Sequence, residues 1–83
     1  MVNISAVEKK SGRRGEARRW AIRALQIDMR NAEAHYNLGV LEDEAGNTEQ
    51  ARTHYQAFVE YGAGAYPSLA TDVRRRIDTL SAK

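Results

Sequence analysis

The stretch LGVLEDEAGNTEQA, residues 38–51, sets two glycines seven residues apart in a charged, helix-prone segment, with an alanine five residues past the second. Ala34, Leu38, Leu41 and Ala45 fall at i, i+4, i+7 and i+11, which is one apolar helical stripe. Gly46 suits the left-handed residue that ends a helix. Asn47 reads as an N-cap, with Gln50 three residues on to complete a capping box. A second stripe follows in Ala51, Tyr55, Phe58 and Val59. The segment is therefore two antiparallel helices joined by a short turn. Gly39 on one and Ala51 on the other let the pair approach at the lower end of the roughly 8–10 Å interaxial range.

The same plan recurs 34 residues earlier, without insertion. Gly46-Asn47 corresponds to Gly12-Arg13, Ala51 to Ala17, Leu38-Gly39 to Ile4-Ser5, Leu41-Glu42 to Val7-Glu8 and Val59 to Leu25. The first unit thus reads as Ile4 and Val7, a break at SGRRG, then Ala17, Ala21, Ala24 and Leu25. β-Branched residues are sparse and never alternate with polar ones, so no strand is expected.

A period of 34 with Leu38, Gly39, Gly46, Ala51 and Tyr55 at these places resembles the tetratricopeptide repeat family. Phe58 stands where that family has a small residue, Glu42 where it has an apolar one, and Met29 and Ala63 where it has the closing proline. The resemblance implies an all-α fold of antiparallel helix pairs, stacked as a short right-handed superhelix of about five helices. One domain over residues 1–83 would hold a first repeat at 1–31, lacking its first few residues, a second at 32–65 and a capping helix at 66–83. In that last segment Pro67 fits a first helical turn, and Leu69, Val73, Ile77 and Leu80 make one apolar side. A solenoid needs such a cover over its last hydrophobic face, and Phe58 is expected to fill the space beneath it. GAGAY, residues 62–66, reads as the joint.

Charge is uneven along the chain. Residues 1–31 carry +5, residues 32–65 carry −5 and residues 66–83 carry +2, which together give the net +2. With 42% hydrophobic residues the 83-residue chain has a globular composition, yet a domain this size buries only about 60% of its unfolded surface. There is no cysteine, hence no disulfide or thiolate metal site. No apolar run approaches the roughly 18 residues of a membrane span, and no signal peptide opens the chain, so a cytoplasmic protein is expected.

Catalysis is not expected. The chain has no phosphate-cradling glycine loop, no G-x-S-x-G and no isolated carboxylate pair in apolar surroundings. His35 and His54, the two imidazoles, lie 19 residues apart on different helices without metal-ligand spacing, so neither a metal nor a cofactor is expected. The acidic run at Glu42–Glu44 points in different directions along a helix, unlike a calcium loop. Trp20, beside Ala17 and Ala21, is expected to pack on a neighbouring helix.

What the resemblance implies is protein–protein interaction on a concave surface lined by the first helix of each repeat. Carried over position by position, that surface holds Val2, Ala6, Lys9 and Lys10 in the first repeat. It continues through Glu33, Tyr36, Asn37, Val40, Asp43 and Glu44 in the second, then Ala70 and Arg74 in the cap. Gly12, Ala17, Leu38, Gly39, Gly46, Ala51 and Tyr55 are the structural signature. Some family members hold a terminal carboxylate with a Lys/Asn/Arg clamp, but Val2, Ala6, Tyr36 and Val40 occupy most of those places. The expected partner is instead an apolar and basic peptide or helix, with no small-molecule substrate and no membrane. Self-association to a homodimer is a further expectation, because the link QIDMRNAEAH, Gln26 to His35, has neither Pro nor Gly to stop two helices fusing. The alternative is a nucleic-acid-binding module built on the basic helix RRGEARRWAIR, Arg13 to Arg23, which the acidic second unit disfavours.

Overall fold

Residues 13–82 are described by the structure, a computed structural model. They form four helices: α1 (Arg13–Ile27), α2 (Ala32–Ala45), α3 (Thr48–Gly62) and α4 (Pro67–Ser81). No strand occurs among the described residues, so the all-α expectation holds. Among the described residues the helices number four, against about five expected for the chain. The earlier stripe of Ile4 and Val7, with Val2, Ser5, Ala6, Lys9, Lys10 and Gly12, lies outside the described residues. No helix among them is long and apolar enough to cross a membrane.

Each boundary has a local cause. Between α1 and α2 the chain turns with neither Gly nor Pro. The Asp28 carboxylate accepts the Arg30 N–H at 3.0 Å, and the Asp28 carbonyl accepts the Asn31 N–H at 3.0 Å. Asn31 Oδ1 then accepts the Ala34 N–H at 3.0 Å and caps α2. α2 ends at Gly46 with φ 85°, where the N–H groups of Gly46 and Asn47 close on the carbonyls of Asp43 and Glu42. Asn47 occupies the N-cap position of α3 but makes no side-chain cap bond, so the expected capping box is absent. Its amide turns back instead and donates to Glu42 Oε1 at 2.7 Å. α3 runs through Gly62, and the joint is Ala63–Tyr66 rather than the whole of residues 62–66. Pro67 then opens α4.

Packing is sequential: α1 on α2, α2 on α3, α3 on α4. Ala21, Ala34, Leu38 and Leu41 form one buried cluster between α1 and α2. Ala51, Tyr55, Phe58, Ala70, Val73 and Leu80 form a second beneath α4, with Phe58 only 1% exposed. Ala45, at the end of the α2 stripe, is exposed.

The glycines act differently from the expected Gly39–Ala51 approach. A Cβ on Gly39 would lie 2.6 Å from Tyr55 Cδ1, so bare backbone is the seat of an aromatic ring. The close approach of two helices occurs at Gly62, where a Cβ would lie 2.8 Å from Ala32 Cβ. A buried ring tethered at both ends cannot give way cheaply in a close-packed interior.

Replacing a mid-helix glycine by alanine stabilises by roughly 0.5–1 kcal/mol when space allows, while overpacking costs about 1–3 kcal/mol. Among the described residues, the nearest atom outside its own helix backbone and chain neighbours that a Cβ on Gly15 of α1 would meet is Arg19 Nη1, at 3.9 Å. Gly15→Ala is therefore expected to raise the melting temperature, and Gly39→Ala to lower it despite the same backbone gain. Thermal melts of the two variants check this; a stabilised Gly39→Ala would show that Tyr55 is not seated there.

Candidate functional site

α2 and α4 both pack on α3 but do not meet backbone to backbone. A cleft of about 180 Å³ lies between them. Tyr36 forms its wall on α2, Leu69, Asp72 and Val73 its wall on α4, and Tyr55 from α3 its floor. The residues on α4 fall at i, i+3 and i+4, so one helical face looks into the cleft.

One end is closed by an ion pair. Arg76 Nη2 and Nε donate to Asp43 Oδ1 and Oδ2, each at 2.7 Å, and the Tyr55 hydroxyl donates to Oδ2 at 3.0 Å. The arrangement is bidentate, the stronger form of such pairs. Burial, reinforced by the Asp43 carboxylate, pushes the Tyr55 phenol up and keeps its proton on the oxygen. Asp43 likewise holds the Arg76 guanidinium above its ordinary value. Across the other side, the Tyr66 hydroxyl donates to the Glu33 carboxylate and joins the start of α4 to the start of α2.

The sequence-derived surface is only partly assembled here. Tyr36 lines the cleft, half-buried, with its ring 5.3 Å from that of Phe58 and 6.4 Å from that of Tyr55. Val40 is half-buried and packs on the cluster beneath α4. Asp43 is present but occupied by Arg76 and Tyr55, and Glu33 by Tyr66. Asn37 is 3% exposed and belongs to the interior, so its amide does not face a partner. Glu44 is exposed and does not line the cleft. Ala70 is a core residue at 1% exposure. Arg74 is exposed but outside the cleft; the guanidinium that enters is Arg76. Lys9 lies outside the described residues. Leu69 was read only as part of the apolar side of the last helix, and Asp72 and Arg76 were given no site role, although their helical spacing from Val73 would have placed them on one face.

Two polar clusters lie elsewhere. Glu42, 9% exposed, accepts Arg18 Nη1 from α1 and Asn47 Nδ2, both at 2.7 Å. These bonds, Arg18 first, hold its carboxyl below the usual carboxylate range against the opposing effect of burial. The two histidines, far apart in sequence, meet in space: His35 Nδ1 and His54 Nδ1 are 3.2 Å apart. His35 Nε2 is 2.9 Å from the Met29 carbonyl, which can only accept, so this nitrogen carries the proton. His35 Nδ1 is then the acceptor and His54 Nδ1–H the donor. No group of three or more His, Cys, Asp or Glu among the described residues is placed to hold a metal ion.

Burial, with His35 and Arg18 adding and Glu42 opposing, holds the His54 imidazole below its ordinary 6.5. The unfolded chain therefore binds the proton first, and stability is expected to fall as pH drops below 6.5. Glu42 works in a lower window: its contribution is present above 4.5 and is lost as pH falls through its depressed folded value. Melting temperatures at about pH 7.5 and about pH 5.5 isolate the histidine. The lower value belongs at the acidic pH, and His54→Gln should flatten the difference; an unchanged melting temperature contradicts the arrangement.

No protein-family model, curated protein or solved structure matches the chain. The chemistry of the cleft and of the helix faces carries the functional reading.

Proposed function

We propose that the chain is a non-catalytic protein-interaction scaffold, a short tetratricopeptide-like helical stack that holds a peptide or partner helix in the groove between α2 and α4. The observation that carries this reading is the cleft itself, walled by Tyr36 and Leu69 and floored by Tyr55. Its volume of about 180 Å³ is below the roughly 300–1,000 Å³ of small-molecule pockets, and suits one partner side chain rather than a substrate. Tyrosine offers a rigid apolar body with a polar tip, a common chemistry at binding hot spots. Among the charged residues of the cleft Asp43 is matched by Arg76 and Asp72 is not, which favours an apolar and basic ligand.

A second reading rests on α1. Trp20 is 47% exposed rather than packed away, and with Arg19 and Arg23 it lines a cleft of about 390 Å³. An exposed aromatic between cations is what a nucleic-acid-binding helix would offer. Of the cations in the basic run, Arg18 is already taken by Glu42.

Trp20 is the one tryptophan of the chain, so its indole N–H is a clean reporter of the α1 face. In an NMR titration with peptides selected by display on the intact chain, amide signals of Tyr36, Val40, Leu69 and Val73 are expected to move while the Trp20 indole stays still. An oligonucleotide that moves the Trp20 indole at physiological salt, with the groove signals unmoved by any peptide, would favour the second reading and overturn the first.

A further inference from the structure

Three carboxylates surround the α2/α4 groove, and their states differ. Asp43 accepts two bonds from Arg76 and one from Tyr55. Glu33 accepts the Tyr66 hydroxyl. Asp72 lines the cleft and has neither a hydrogen bond nor an ion pair among the described residues. Arg76, one turn further along α4, is committed to Asp43 and leaves Asp72 without a cation. Beside it stands Tyr36, half-buried and without a hydrogen bond on its hydroxyl among the described residues. Both residues line the same cleft, and burial, then the charge of Asp72, push the Tyr36 phenol up.

An exposed carboxylate and an aromatic ring lining one cleft are complementary to one kind of group. A guanidinium can give a carboxylate two parallel hydrogen bonds while its plane lies against an aromatic ring. An ammonium offers only a compact, strongly hydrated point charge. The size agrees, since about 180 Å³ is below the roughly 300–1,000 Å³ of drug-sized pockets and admits one side chain. Local charge agrees as well: of the charged residues lining the cleft, Asp43 and Arg76 match each other and Asp72 is left over. We propose that Asp72 and Tyr36 form the subsite of the groove that takes an arginine side chain of the bound peptide or partner helix. This rests on the scaffold reading above and names the residue that sets its specificity. It also moves the cation preference from Asp43, whose charge is already matched, to Asp72.

The test separates the two claims. A random peptide display library is selected on the intact wild-type chain and, in parallel, on Asp72→Asn. Asp72 is exposed, so this variant should melt as wild type does. Selection on wild type should enrich arginine at one position, and selection on Asp72→Asn should not. Fluorescence anisotropy then compares the selected peptide with its citrulline version, which keeps the shape and removes the charge. Wild type should lose roughly tenfold in affinity, as for a hydrogen-bonded charge, while Asp72→Asn binds both peptides alike. Selected peptides without a basic residue, or an arginine preference that survives in Asp72→Asn, would overturn the subsite and leave the groove standing. No retained peptide on wild type would remove the scaffold reading, and the subsite with it.

Discussion

The ring of Tyr55 lies on the bare backbone of Gly39, and the rest of the groove depends on that contact. With no Cβ at Gly39, the ring sits where a methyl group would have been 2.6 Å from it. Held there, its hydroxyl meets Asp43 on the same helix as Gly39, and Asp43 in turn clamps Arg76 on α4. One glycine on α2 thereby positions a residue of α3 and, through it, the edge of α4. Tyr36 closes over the ring on one side and Phe58 fills the space below. Removing any one polar member leaves a half-satisfied network, the costly state for a polar group away from water.

Much of the fold was legible in the sequence because helical periodicity is a strong signal. The stripes of Leu38 and Leu41, of Ala51, Tyr55 and Phe58, and of Val73 and Leu80 are all buried. Gly46 ends α2 with positive φ, as its position between two stripes implied. What periodicity does not encode is where polar side chains turn. Asn47 has the residue type and place of an N-cap, yet its amide is drawn to the buried carboxylate of Glu42, a contact set by tertiary structure. The turn between α1 and α2 uses Asp28 and Asn31 in place of the glycine or proline that marks most turns. The site was less legible than the fold. Carrying positions over from a repeat pattern selected Arg74, one residue from Val73 and on another face, where Arg76 was needed. The same carry-over put Asn37 on the partner-facing surface, but the helix turns it inward.

Glu42 shows how a buried position can hold a charge. A carboxylate at 9% exposure would be expensive alone, and here it has two hydrogen-bond donors from outside its own helix. Arg18 comes from α1 and Asn47 from the start of α3, so a single acid ties the first helix to the helix pair that bears the groove. The guanidinium of Arg18 stays partly in water, with 37% side-chain exposure, which limits the desolvation cost on its side. The His35–His54 pair makes a second tie between α2 and α3, at the face away from the cleft residues. Together these contacts leave α4 as the helix joined to the others mainly through its apolar face and three side-chain bridges, Arg76–Asp43, Tyr66–Glu33 and Arg52–Ser81.

The most direct measurement is a nuclear Overhauser spectrum of the intact chain in solution, read at the Tyr55 ring protons. A ring seated on Gly39 with Asp43 and Arg76 at its hydroxyl end should give strong cross-peaks from the Tyr55 ring to the Gly39 α-protons. It should also give a connection from the same ring to the Arg76 side chain. Cross-peaks from Tyr55 to the α4 core without any to Gly39 would contradict the seat and, with it, the geometry of the groove.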